Sequence, residues 1–169
     1  LGSPNLGSYA PVLALRAGYP TVRKLAALDL RHDAEDLARI VFRTLPSLHE
    51  LLPDAALGGD LDLFDPAAWP DDELRPERGQ LEEAAATRAR WPSADPRCLH
   101  VVGVRQETVT RARLHGHEFH YTLEGDGDGT VPRRLAMLDG AGHWVVAEKH
   151  GGPPHDRRGV AAAPGLPRP

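Results

Sequence analysis

A chain of 169 residues, 41% hydrophobic but only 5% aromatic, holds one domain at most, with a modest core. Its 20 basic and 24 acidic residues leave a net charge of −4 and no basic cluster, which argues against nucleic acid or an anionic membrane as the main partner. The single cysteine, Cys98, excludes an intramolecular disulfide and a Cys-based zinc site, and no apolar run approaches the roughly 20 residues of a membrane span.

The opening, Leu1-Gly2-Ser3-Pro4-Asn5-Leu6-Gly7-Ser8, is loop-like and abrupt, as though a strand had just ended. It does not itself read as a signal peptide, the compartment is not legible from it, and an upstream part of the same domain is expected. Val22, Leu25, Ala26 and Leu28 are spaced for one face of a short helix. Asp33 is placed to cap a second helix, with Leu37, Ile40, Val41 and Leu45 as its apolar stripe. Pro46 should end that helix, with another turn over 47–52.

Residues 58–96 are polar, acidic and punctuated by proline. One helix, about 76–91, is expected there with solvated charges. The region reads as an excursion over the domain, outside the core: a surface loop with a helix, or a lid near a site. From Cys98 the period changes. Residues 99–104 form a compact β-rich run, and 108–123 read as a hairpin turning near Gly116, because Phe119, Tyr121 and Leu123 alternate. Pro132 suits the start of a short helix through Leu138. Gly140 and Gly142 break it, and a strand running to His150 follows. The tail, 153–169, is Gly, Pro, Ala and Arg with little to bury, and is expected to be disordered.

The chemistry concentrates in Glu124-Gly125-Asp126-Gly127-Asp128-Gly129-Thr130-Val131-Pro132 and in Trp144-Val145-Val146-Ala147-Glu148-Lys149-His150. In nucleophilic acyl transfer a histidine takes the proton from a serine, and an acid orients the histidine and stabilises its cation. Asp128 on a glycine-flanked turn, then a strand, then His150 would put acid and base at one end of a sheet. The order acid then His fits a nucleophile–acid–His arrangement. A solvent-exposed Asp-Gly turn is the plain alternative. A calcium loop is a second, but it lacks the spaced downstream ligands. No serine stands in a Gly-x-Ser-x-Gly elbow. His115-Gly116-His117-Glu118-Phe119-His120 is a dense histidine cluster that with a carboxylate could bind zinc, or be an exposed polar tip. His32, His49, His100 and His155 read as surface or packing residues.

These motifs resemble the lecithin:cholesterol acyltransferase-like lipases and esterases. The opening segment looks like that family's Gly-Thr-Pro-x-x-Gly-Ser stretch, and Val101-Val102-Gly103-Val104 is similar to its penultimate core strand. Gly127-Asp128-Gly129-Thr130-Val131-Pro132 matches its acid motif, and Ala147-Glu148-Lys149-His150-Gly151 its His segment. The resemblance covers 1–152 and implies an α/β fold: the C-terminal half of an α/β-hydrolase, with a mainly parallel sheet, flanking helices and a lid-like insertion over 58–96. It implies a serine-type ester hydrolase or acyltransferase acting through an acyl-enzyme on an ester or lipid substrate, with no cofactor or metal. It carries the acid role to Asp128 and the base role to His150, with Asp126 and His143 as competitors; His143 falls at the wrong end of its strand. The Ser elbow and oxyanion loop have no counterpart here, so a fragment inactive alone is expected. The alternative is a non-catalytic remnant or interaction domain of the same fold.

Overall fold

The computed structural model describes residues 3–58, 61–91 and 94–152; the tail expected to be disordered lies outside them. The chain begins with short helices. The first, α1 (Ala10–Leu15), has a proline in its first turn, where a missing N–H costs nothing, and buries Val12, Ala14 and Leu15. The second, α2 (Pro20–Leu28), opens on proline for the same reason but buries only Val22. Leu25 and Leu28, expected on the inner face, are exposed. Asp33 caps α3 (Ala34–Ile40) as expected: its carboxylate accepts from the Glu35 and Asp36 N–H groups, each at 2.9 Å, while the Asp36 carboxylate accepts from the Asp33 N–H.

Helix α3 is shorter than its apolar pattern. It buries Ala38, while Ile40, Val41 and Leu45 are exposed, so the expected stripe is not the packing face. After a 3-10 turn at Phe42–Thr44, Pro46 opens α4 (Pro46–Glu50) instead of closing the preceding helix. The cause is local: Leu45 before the proline is extended, so the helix must restart. A single turn, α5 (Ala55–Gly58), follows.

The segment expected outside the core contributes to it. Leu63, Trp69 and Leu81 are buried, the last with Ala84 on the inner face of α6 (Arg78–Ala89). The Trp69 indole N–H donates to the Leu63 carbonyl at 2.9 Å, and its ring meets Phe119 edge-on at 5.5 Å. A few large apolar residues outweigh many polar ones, because one buried aromatic removes some 150–250 Å² from water. Arg88, late in α6, donates to the carbonyls of Asn5, Glu50 and Leu52, tying the excursion to two earlier segments.

The strands lie in two pairs. β1 (Leu99–Gly103) runs parallel to β4 (Gly142–Val146), in register from Leu99↔Gly142 to Gly103↔Val146. Between them in sequence, β2 (Thr108–His115) and β3 (Glu118–Glu124) form the expected hairpin, turning at Gly116 with φ 62° and carrying an irregularity at Val109/Arg111. Among the described residues the parallel sheet is thus two strands, β1 and β4, with a single isolated parallel bridge between Gln106 and Asp128 beside it. A last turn, α7 (Arg133–Ala136), follows Pro132 and packs Leu135 and Ala136 inward. The class is mixed α and β, with a small parallel sheet, an antiparallel pair, and one core running from Tyr9 and Val12 through Trp69 and Leu81 to Val102 and Val131.

Candidate functional site

Asp128 sits on the turn after β3, and its side chain is only 3% exposed. A buried carboxylate must be fully hydrogen-bonded. Oδ1 accepts from the N–H groups of Thr130 at 2.9 Å and Val131 at 2.8 Å, an Asx turn encoded by Asp128-Gly129-Thr130-Val131. Gly129 takes φ 95°, a conformation a side chain would strain. Its N–H donates to Oγ1 of Thr108, which itself donates to the Gln106 carbonyl. Gln106 in turn bridges to the acid turn through its N–H on the Gly127 carbonyl.

Oδ2 of Asp128 lies 2.9 Å from Nδ1 of His150. An ionised carboxylate only accepts, so Nδ1 carries the proton and Nε2 is left as the free basic nitrogen. The His150 N–H also donates to the Asp128 carbonyl at 2.7 Å, so the two residues are joined through backbone and side chain together. His150 does not end the strand as expected. β4 stops at Val146, and His150 lies in the following loop, where its side chain is 40% exposed. Gly103, closing β1, makes this approach possible: a Cβ there would lie 2.6 Å from the Asp128 Cβ.

Two concavities meet at His150. One is an apolar cavity of about 250 Å³ whose walls include Ala14, Phe42, Leu48, Leu51 and Val131. The other is a more polar, open groove of about 380 Å³ bordered by Gln106, Glu107, Asp128 and Lys149. The pair therefore stands between an apolar chamber and a wet one. Chemically, it can accept a proton at Nε2, hold the resulting cation against a carboxylate, and return the proton to a leaving group.

The competing residues are placed elsewhere. Asp126 forms an ion pair with Arg133 at 2.9 Å and is half exposed. His143 is the second residue of β4, at the opposite end from His150, and its ring stacks edge-on with His100 at 5.6 Å. His115 and His120 face each other across the hairpin, rings 4.8 Å apart, and among the described residues no three His, Cys, Asp or Glu side chains group to hold a metal. His32 pairs with Asp29, and His49 is fully buried with Nδ1 on the Leu45 carbonyl; His155 lies outside the described residues. Ser8 is buried on the cavity wall, its Oγ accepting from the Ala10 N–H at 3.3 Å, whereas Ser47 is exposed. Sequence reasoning missed Thr108 and Gly103 as supports of the acid turn; the one signal was their place at the ends of strands facing it. Comparison with protein-family models, curated proteins and solved structures found no match.

Proposed function

We propose that this chain carries the acid–base half of a serine-type ester hydrolase or acyltransferase, working through an acyl-enzyme. His150 is the general base and then the general acid, and Asp128 orients it. The observation that carries the reading is the 2.9 Å contact between Asp128 and His150, made by a buried acid fully bonded on its other oxygen, at the junction of an apolar and a polar concavity. The apolar chamber suits the acyl group and the polar groove suits the water or alcohol that accepts it. The order of acid and histidine, and the likeness of both motifs to the lipase and esterase family named above, support the same assignment. The nucleophile of this reading is a serine on an elbow that residues 1–169 do not contain.

The test begins upstream of Leu1: a Gly-x-Ser-x-Gly segment belongs within a few tens of residues of it. In the protein that includes that segment, aryl-ester turnover should fall about 10⁴-fold with His150→Ala, while His143→Ala keeps most of it. Equal losses in two well-folded variants would overturn the assignment of the base. An upstream sequence without the elbow would favour the non-catalytic reading of the fold.

A further inference from the structure

The tip of the β2–β3 hairpin carries three exposed histidines that the acid–base pair does not use: His115, His117 and His120. Side chains alternate along a strand, so the register His115↔Glu118 and Arg113↔His120 puts these four residues on one face. That face is the outer one. The inner face carries Leu114, Phe119 and Tyr121, and the Phe119 ring meets Trp69 of the core edge-on at 5.5 Å. The hairpin is therefore anchored from beneath, and Gly116 at φ 62° closes its turn tightly. His115 and His120 lie diagonally across the two strands, ring centres 4.8 Å apart and planes at 50°. An ion held about 2.0–2.1 Å from one nitrogen of each ring sets the ring centres roughly 4.5–5 Å apart. The observed spacing falls in that range, so the pair can close on an ion with little movement of the chain. Neutral imidazole is a preferred ligand of the late divalent metals, and two rings fixed on one anchored tip act as a chelate. Glu118 opposite His115 and Arg113 opposite His120 bring one charge of each sign, so the imidazoles, not the local field, decide the binding. His117 is set apart: Arg16 and, more weakly, His117 hold the Asp72 carboxyl below its ordinary value, which puts His117 beside the 58–96 segment.

We propose that His115 and His120 form a two-histidine site for a divalent transition-metal ion, zinc first among them, with water completing its coordination. Two protein ligands are one short of the three that hold a catalytic zinc, so the ion clamps β2 to β3 and does no chemistry of its own. The site stands apart from the ester reading, and neither depends on the other. Half the ligand set of a structural zinc site corresponds to a dissociation constant of roughly 1–100 μM. The experiment is calorimetric titration of the tag-free full chain with zinc chloride, joined to a long-range ¹H–¹⁵N spectrum of the imidazoles. One ion should bind in that range, shifting the His115 and His120 resonances together and leaving His117 in place. An ion taken by Cys98 or His150 would leave that pair of resonances unmoved. His115→Gln and His120→Gln should each weaken the binding at least about tenfold, whereas His117→Gln should change it less than about twofold. Zinc at about ten times its dissociation constant should raise the Tm of the parent by roughly 3–6 °C and leave that of His115→Gln/His120→Gln unchanged. Magnesium, which takes oxygen ligands, should do neither. The side chains are exposed, so the metal-free variants should melt with the parent. A parent that binds no zinc at about 1 mM, ten times the weakest constant expected, overturns the proposal, as does binding that leaves both ring resonances unmoved. So does a zinc-dependent dimer that His120→Gln dissolves, which would assign the imidazoles to a bridge between two copies of the chain.

Discussion

The most exacting prediction concerns Gly103, which is remote in sequence from the acid it touches. A methyl group added there would lie 2.6 Å from the Asp128 Cβ and 2.7 Å from the Glu148 carbonyl oxygen. Carbon contacts relax at about 3.5–4.0 Å, so the shortfall is roughly 1 Å on two sides. Neither neighbour is free to yield. Asp128 is held by the Thr130 and Val131 N–H groups and by the His150 N–H on its carbonyl, and the Glu148 oxygen is main chain. Gly103→Ala should therefore cost about 1–3 kcal/mol of stability, a drop of roughly 3–10 °C in Tm for a domain of this size. It should also push the acid turn away from His150. The assay is a thermal melt joined to a long-range ¹H–¹⁵N spectrum of the imidazoles, in which the parent shows His150 protonated on Nδ1 and the variant shows mixed tautomers. Gly142→Ala, on the paired strand, is the control: its methyl meets the tip of the Leu99 side chain at 3.3 Å and the Cys98 carbonyl oxygen at an ordinary 3.7 Å, and the melt should hardly change. A Gly103→Ala protein with the parent's Tm and the parent's His150 tautomer would refute the packing of β1 against the acid turn.

Three further outcomes follow from the same structure. Trp69→Phe removes the donor to the Leu63 carbonyl along with ring volume, and should cost about 2 kcal/mol in urea unfolding; an unchanged midpoint would return 58–96 to a mere covering. Arg88→Met keeps the apolar stem but strips the carbonyls of Asn5, Glu50 and Leu52 of their shared donor, and should cost about 2–4 kcal/mol by the same measurement. Burial holds the His49 imidazole below its ordinary value, against a smaller opposing effect of its bond to the Leu45 carbonyl. The unfolded chain therefore binds the proton first. This contribution to stability is complete above about pH 6.5 and is lost as pH falls below it towards the folded value. Tm should fall between pH 7 and pH 5, and His49→Gln should flatten that slope.

The contact between Asp128 and His150 was legible in part because the turn that presents Asp128 is local. Asp128-Gly129-Thr130-Val131 encodes its own Asx turn, and Gly116 announces the hairpin, so both can be read from a few adjacent residues. The packing of the helical half was not, because periodicity records only that apolar residues share a face. Leu25 and Leu28 have helical spacing yet stay exposed, while Ala38, which carries almost no pattern, is the residue α3 buries. Composition misled in 58–96 in the opposite way: its acidic average hid Leu63, Trp69 and Leu81, which go inward. Thr108 looked like an ordinary strand residue, since the partner that gives it meaning, the Gly129 N–H, comes only with the fold. The apolar cavity, too, is assembled from residues as distant in the chain as Ser8 and His150.

The pairing of β1 with β4 also sets an order of assembly. The two strands are separated by roughly 40 residues, and a parallel pair gains nothing until that loop closes. The hairpin lies inside the loop and needs only a short turn, so it can form within microseconds and draw Thr108 up to Glu124. With the hairpin made, the stretch still to be closed is shortened, and the second closure becomes easier. Asp128 arrives with the hairpin, whereas His150 arrives only when β4 docks. The contact between Asp128 and His150 is therefore one that local structure cannot make alone: it waits on the closure of the parallel pair.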